Sequence, residues 1–365
     1  MLAIVCPGQG SQTPGFLTPW LELDGVRDQL TALGTAAGLD LVTHGTESDA
    51  DTIKDTAVAQ PLIVAAGLVT AGALFASQAD LTSTGAVLAG HSVGELTATA
   101  LAGVVTDQQA LSLVATRGRA MAEASAVTPT GMAAVLGGDP DEVLATLETH
   151  GLTPANINGA GQVVAAGTLE QIEALRGAPP AKARVIPLQV AGAFHTHHMA
   201  PAVEALAGAA ADITPSAPAL RLLSNADGAT VADGPDTVDR LVRQVSNPVR
   251  WDRCMETMLA LGVTGLLELA PAGTLVGLAK RAMPGVETLA VKTPDDLEAA
   301  RALVEAHRSC PRPPRPAAAA APLAQRPHEG QARGDGPHRR RPRRSRHRAA
   351  PPPDPLTPHS REGLT

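Results

Sequence analysis

Gly90-His91-Ser92-Val93-Gly94 is a GxSxG pentapeptide, a serine held between two glycines. An apolar run, Ala86-Val87-Leu88-Ala89, precedes it, and a helix-forming stretch follows. That order suits a nucleophilic serine. A sharp strand-to-helix turn lifts the hydroxyl out at the edge of a sheet, and flanking glycines let the backbone fold that tightly. The helix that follows aims N–H groups and a partial positive charge at an oxyanion developing beside the serine. The pentapeptide also occurs in ordinary tight turns, so it suggests acyl chemistry without deciding it. Two other clusters invite different chemistry. His195-Thr196-His197-His198 resembles a metal site, but its spacing suits no standard zinc motif and no Cys or carboxylate cluster adjoins it. No metal is expected, and His197 and His198 read as surface residues at a helix start. Pro7-Gly8-Gln9-Gly10 could cradle a phosphate, but no Gly-Lys-Ser/Thr follows, which excludes a P-loop.

These residues need elements to hold them. Residues 2–6 are a short apolar run closed by Pro7-Gly8, which reads as a buried strand. Residues 61–76 begin on Pro61 and continue in Ala, Leu and Val, which reads as a buried helix. A strand at 85–89 leads into helices at 92–103 and 107–125. Residues 124–190 alternate strand (132–136, 163–166, 184–190) with helix (141–150, 169–176) at close spacing, which suits a small βαββαβ unit. Beyond it come a helix near 201–211, a strand at 219–224, helices near 238–245 and 252–261, a strand at 265–269 and a helix at 274–281. Short strands alternating with helices predict an α/β fold with a parallel sheet.

Composition limits what this body can be. Hydrophobic residues make up 44% of the 365, but aromatics only 1%, so the core must be built from Ala, Val, Leu and Ile. The formal charge of −7 hides two halves. Residues 309–365 hold 12 Arg against 4 acidic residues, a net of +8 that leaves −15 on residues 1–308. The same tail carries 13 of the 31 Pro and is expected to be disordered. Its basic run Arg339-Arg340-Arg341-Pro342-Arg343-Arg344 has no interleaved aromatic and no folded basic face, so no nucleic-acid partner is expected. Three scattered cysteines (Cys6, Cys254, Cys310) argue against a disulfide framework and suit a reducing compartment. The N-terminus lacks a charged leader, and no run approaches the ~20 apolar residues that span a bilayer. A soluble, cytoplasmic protein with no membrane partner is expected, and nothing demands more than a monomer.

Several motifs in one order carry a resemblance. Pro7-Gly8-Gln9-Gly10-Ser11-Gln12, Gly90-His91-Ser92-Val93-Gly94-Glu95, Arg117-Gly118-Arg119-Ala120-Met121, Asn156-Ile157-Asn158, Gly161-Gln162-Val163-Val164, Phe194-His195 and Asn247-Pro248-Val249-Arg250-Trp251 resemble the malonyl-CoA:acyl carrier protein transacylase family over about residues 1–300. The resemblance implies an α/β-hydrolase-like core (residues 1–123 and 191–308), an inserted small ferredoxin-like subdomain (124–190), and a tail (309–365) outside both. It implies malonyl transfer from malonyl-CoA, the substrate, to an acyl carrier protein, with no cofactor. Ser92 would be the nucleophile and His195 its general base, oriented by the main-chain carbonyl of Gln244 in place of a triad carboxylate. The backbone N–H groups of Gln9 and Val93 would form the oxyanion hole, and Arg117 would hold the malonyl carboxylate with two parallel hydrogen bonds. His91, Phe194 and Asn158 would line the substrate pocket. Ala193-Phe194-His195 is similar to the malonyl type of polyketide acyltransferase, and a ring there disfavours an α-methyl branch by about 1–3 kcal/mol. Phe194 stands where many fatty-acid-type members have Ser, so the pathway served stays open.

Two rivals remain. A serine esterase or thioesterase of the α/β-hydrolase type shares GxSxG but calls for an Asp or Glu partner and has no use for Arg117. A catalytically silent carrier-docking module would never be acylated at Ser92. A body at −15 repels coenzyme A and acidic carriers at long range, so binding calls for a local basic patch. Lys280 and Arg281, with Arg119 or Arg250, are the expected contributors.

Overall fold

The computed structural model describes residues 1–308. The tail, its basic run and Cys310 lie outside the described residues. Among these residues ten strands follow one another: β1 (Leu2–Cys6), β2 (Val87–Gly90), β3 (Thr130–Gly137), β4 (Thr153–Gly159), β5 (Gln162–Thr168), β6 (Ala183–Pro187), β7 (Arg221–Leu223), β8 (Thr230–Val231), β9 (Gly265–Glu268) and β10 (Glu287–Ala290). Six of them form the main sheet in the order β10-β9-β1-β2-β7-β8. From β10 to β7 every neighbour is parallel, and only β8 turns back on β7.

β1 and β2 lie in the middle and are buried along their whole length. A parallel sheet covered on both faces needs apolar residues at every position, which is why Leu2-Ala3-Ile4-Val5-Cys6 shows no polar alternation. The pleat still sorts the strand. Leu2, Ile4 and Cys6 join the cluster under helices Thr56–Leu74, Gly94–Leu101 and Asp107–Val127. Ala3 and Val5 join the cluster formed by helices Trp251–Ala260 and Thr274–Ala282.

The other four strands make a fully antiparallel sheet, β4-β5-β3-β6, with helices Pro140–Thr149 and Leu169–Gly177 interleaved in the chain as βαββαβ. One face packs Ala133, Val135 and Ala165 against Val143, Leu147, Ile172 and Leu175 of those helices. Met132, Val164 and Ala166, from the opposite face, belong to the main core. β4 is tied back to the main body by Ile157 N donating to Val249 O at 2.9 Å and Val249 N to Ala155 O at 2.9 Å.

Several boundaries differ from the sequence expectation, each for a local reason. The helix expected at 61–76 spans Thr56–Leu74 and carries Pro61 in its interior, because Asp55 caps it by accepting from Ala57 N. It also overturns the expectation that no run approaches membrane-spanning length. This 19-residue helix is long and apolar enough to cross a bilayer, with a mean hydropathy of 1.8. Its apolar surface is instead buried against neighbouring helices, as expected of a helix that is hydrophobic all round. β4 was not anticipated because Pro154 interrupts it. It is an edge strand, where a missing N–H costs no ladder bond. The helix expected from 92 starts at Gly94, since Ser92 has a left-handed backbone, φ 53°. Helices Val26–Ala37 and Leu297–His307 and strand β10 had no counterpart in the sequence reading.

Candidate active site

The site forms where the loops after β1 and β2 emerge side by side. Cys6 pairs with Gly90, and His91 N donates to Cys6 O at 2.9 Å, so the Gln9 loop lies against the turn that carries Ser92. That turn is too tight for side chains at its ends. A Cβ on Gly90 would meet the Gly94 carbonyl carbon at 2.0 Å, and one on Gly94 would meet Cys6 O at 2.2 Å. Asn225, fully buried, clasps the turn from the end of β7. Its Oδ1 accepts from Ser92 N at 2.7 Å and its Nδ2 donates to Gly90 O at 2.7 Å.

Ser92 Oγ lies 2.7 Å from His195 Nε2, and His195 Nδ1 lies 2.8 Å from Gln244 O. A carbonyl only accepts, so Nδ1 carries the ring hydrogen and Nε2 offers its lone pair to the Ser92 hydroxyl. Burial, aided by the Arg117 charge, lowers the His195 pKa to about 3. The ring is therefore neutral at pH 7, as a base must be. His195 shares with Ser92 a left-handed backbone, φ 61°, pinned by its N–H to Val245 O at 3.2 Å.

Arg117 enters from the helix Asp107–Val127 and is 2% exposed. Its Nη1 donates to Gln60 Oε1 at 2.6 Å; its Nη2 donates to Gln244 Oε1 at 2.9 Å and Ser92 Oγ at 3.3 Å. Burial lowers its pKa to about 10, with the Glu95 charge opposing the shift, so it stays cationic at neutral pH. A cavity of about 100 Å³ opens beside these groups, lined among others by Gln9, Ser92, Val93, Met121, Phe194 and His195. Among the described residues the backbone N–H groups of Gln9 and Val93 have no acceptor, and both residues border the cavity.

His91 also lines the cavity, its ring edge-on to Trp251 at 5.7 Å and its pKa lowered by burial. Asn158 sits behind it. Its Oδ1 meets His91 Nε2 at 2.9 Å, so it reaches the cavity wall through that ring rather than facing the space itself. His197 is exposed and His198 half-buried, and among the described residues no group of three His, Cys, Asp or Glu could hold a metal ion. Of the four expected basic residues, Lys280, Arg281 and Arg119 are exposed, whereas Arg250 is half-buried and paired with Asp252 at 2.8 Å. Gln60, Asn225, Glu95 and the Gln244 side chain were not singled out from sequence as site groups. Only Glu95 carried a signal, directly after the GxSxG motif.

A model of the acyl transferase domain family matches residues 3–303. The malonyl CoA-acyl carrier protein transacylase of Mycobacterium tuberculosis (strain ATCC 25618 / H37Rv) is 53% identical over 298 residues, which are 82% of this chain and 98% of that protein. The chain belongs to the malonyl CoA-acyl carrier protein transacylase family. The transacylase of that name from Escherichia coli (strain K12) is 35% identical over 306 residues, 82% of this chain and 98% of the relative. Among solved structures, the Mycobacterium tuberculosis transacylase superposes with a TM-score of 0.79 at 52% identity, covering 82% of this chain and 99% of that one. A complex of a type II PKS acyl-carrier protein with its malonyl-transacylase matches with a TM-score of 0.75 at 30% identity, covering 82% and 99%. The family model thus ends at residue 303, and residues 309–365 lie beyond it.

Proposed function

We propose that this chain moves malonyl groups from malonyl-CoA to the phosphopantetheine thiol of an acyl carrier protein through a malonyl-Ser92 ester. His195 Nε2 takes the Ser92 proton as Oγ attacks the thioester carbonyl, and the oxyanion falls to the Gln9 and Val93 N–H groups. Collapse of the tetrahedral intermediate breaks the C–S bond, and the departing thiolate takes the proton from His195. The carrier thiol then runs the same steps in reverse. Gln244 O keeps the imidazole in the right tautomer throughout, and the chemistry calls for no group beyond the two thioester partners. The reading has the chain act as a cytoplasmic monomer. It treats residues 124–190 as an inserted ferredoxin-like unit, in keeping with the βαββαβ strand order, and 1–123 with 191–308 as the hydrolase-like body.

The single observation that carries the substrate choice is Arg117. It is a buried guanidinium beside the nucleophile whose bonding partners are two neutral amide oxygens and one hydroxyl. A buried cation without a carboxylate bound to it is costly unless an anion arrives, and an acyl group on Ser92 that ends in a carboxylate supplies one. An esterase would have no use for it. Intact-mass measurement after mixing with malonyl-, methylmalonyl- and acetyl-CoA tests the reading. The expected result is a stable malonyl adduct, absent in Ser92→Ala and carried on to added carrier protein. Free malonate without an adduct would favour an esterase, and no reaction a silent docking module.

A further inference from the structure

Gln244 serves the site twice: its carbonyl holds His195, and its side-chain amide lies between two opposite charges. Nε2 donates to Glu95 Oε2 at 2.6 Å, and more weakly to Ser92 O and Asn225 Oδ1, both at 3.1 Å. Oε1 accepts from Arg117 Nη2 at 2.9 Å. The two ends of an amide have nearly the same outline, so partner chemistry decides which way it faces. An ionised carboxylate only accepts, and a guanidinium only donates. Glu95 therefore fixes the Gln244 NH2 toward itself and the C=O toward Arg117. Glu95 is buried and anchored by Asn225 N, which donates to its two oxygens at 3.2 and 3.3 Å.

We infer that Glu95 is a positioning residue for acyl selectivity. Acting through the Gln244 amide, it aims the Arg117 guanidinium at the substrate carboxylate and serves as its counter-charge from one amide away. The inference rests on the reading that Arg117 receives that carboxylate. A Glu in direct contact with Arg117 would occupy the donors that the substrate needs. Interposing a neutral amide keeps the attraction, which stabilises the buried cation, and leaves the donors facing Ser92 exchangeable. In Glu95→Gln two amides face each other, and the Gln244 NH2 keeps only the weaker acceptors Ser92 O and Asn225 Oδ1, both at 3.1 Å, to hold its sense against a flip. That flip turns the Gln244 NH2 against the guanidinium and pushes it off line.

The test is single-turnover acylation of Ser92 by malonyl-CoA and by acetyl-CoA, which lacks the carboxylate. It uses the full chain as wild type, Arg117→Ala, Glu95→Gln and the double variant. The expected result is that Arg117→Ala collapses the malonyl-to-acetyl rate ratio and Glu95→Gln lowers it at least tenfold. In the Arg117→Ala background, Glu95→Gln should leave the ratio where it was. If Arg117→Ala leaves the ratio unchanged, the reading of Arg117 fails and this inference with it. If Arg117→Ala lowers the ratio but Glu95→Gln slows both substrates by one common factor, the reading stands and the inference falls.

A pH series on the wild type and Glu95→Gln gives a second readout. Burial raises the Glu95 carboxyl to about 7, against the pull of its hydrogen bonds and of Arg117. Of the other titratable groups around it, Arg117 stays charged, Cys254 is held as a thiol by burial and His195 stays neutral from pH 5.5 to 8.5, while burial lowers the His91 pKa. The malonyl-to-acetyl ratio should fall as pH drops through about 7 in the wild type and stay flat in Glu95→Gln. A ratio that falls equally in Glu95→Gln overturns the inference, because the titrating group would then not be Glu95.

Discussion

Replacing Asn225 by Ala should disable the nucleophile without touching it. Asn225 is fully buried, and its amide makes the 2.7 Å bond from Ser92 N and the 2.7 Å bond to Gly90 O. The substitution strands both backbone groups in a dry interior at about 1–3 kcal/mol each, roughly 2–6 kcal/mol together. Ser92 meanwhile holds a left-handed backbone that costs an L-residue about 1–2 kcal/mol. With the clasp gone, Ser92 O keeps only its bonds from Gln244 Nε2 and Glu95 N against that cost, and the turn relaxes away from the 2.7 Å approach to His195. A shift of about 1 Å in a reacting group is worth on the order of 10²-fold in rate. We therefore expect single-turnover acylation to fall about 10²-fold for malonyl-CoA and acetyl-CoA alike, leaving their ratio unaltered. Urea unfolding should show a loss of a few kcal/mol alongside. A folded Asn225→Ala protein that acylates within about threefold of the wild type would refute the reasoning, because the turn would then hold its shape unaided.

Three further outcomes follow from the same geometry. Gly94→Ala puts a Cβ 2.2 Å from the backbone oxygen of Cys6, which cannot move aside, so we expect lost acylation and a lower melting temperature, read by calorimetry. The base must be unprotonated to act, and burial depresses the His195 pKa to about 3, so kcat/KM for acetyl-CoA should show no acid limb near pH 6.5. A limb there would place the imidazole in contact with water. Phe194→Ala opens the cavity wall beside His195, and the preference for malonyl- over methylmalonyl-CoA should shrink by 1–3 kcal/mol, about 10–200-fold, in competition assays read by mass.

The sequence was most legible where function is written in consecutive residues. β1 and β2 announce themselves as unbroken apolar runs because both faces of a parallel strand are covered, and the GxSxG glycines are contiguous with the strand they terminate. Ser92, His195, Arg117 and Gln244 O converge on one point in the structure although 152 positions separate the first from the last. Their convergence came from the family resemblance; spacing alone would not have given it. What stayed hidden are polar side chains in unremarkable surroundings. Asn225 and Gln60 act across 133 and 57 positions, and a single amide in a sequence carries no mark of what it will touch. The Gln244 side chain was hidden behind its own carbonyl. Boundaries failed where a proline or a capping Asp worked against the usual rule, at Pro154 in β4 and at Asp55 before the helix Thr56–Leu74.

A core of Ala, Val, Leu and Ile makes the buried polar residues around Ser92 conspicuous, and the backbone explains their presence. Ser92 and His195 are two of the four non-glycine residues with positive φ among those described. Neither position can relieve its strain with glycine, since in the proposed mechanism each keeps a reacting side chain. The chain instead stabilises both from outside: Asn225 on the Ser92 turn, Gln244 and Val245 on His195, and Glu95 holding Asn225 and Gln244 in turn. A fully apolar packing of comparable volume at 95, 225 and 244 would escape the cost of burying a carboxylate and two amides. It would also release the Ser92 turn and leave the Arg117 charge unanswered, while His195 would keep its main-chain partners, Gln244 O and Val245 O. The polar cluster is thus better understood as a device that fixes geometry than as a source of stability. Substitutions there should separate activity from melting temperature more sharply than substitutions in the surrounding aliphatic core.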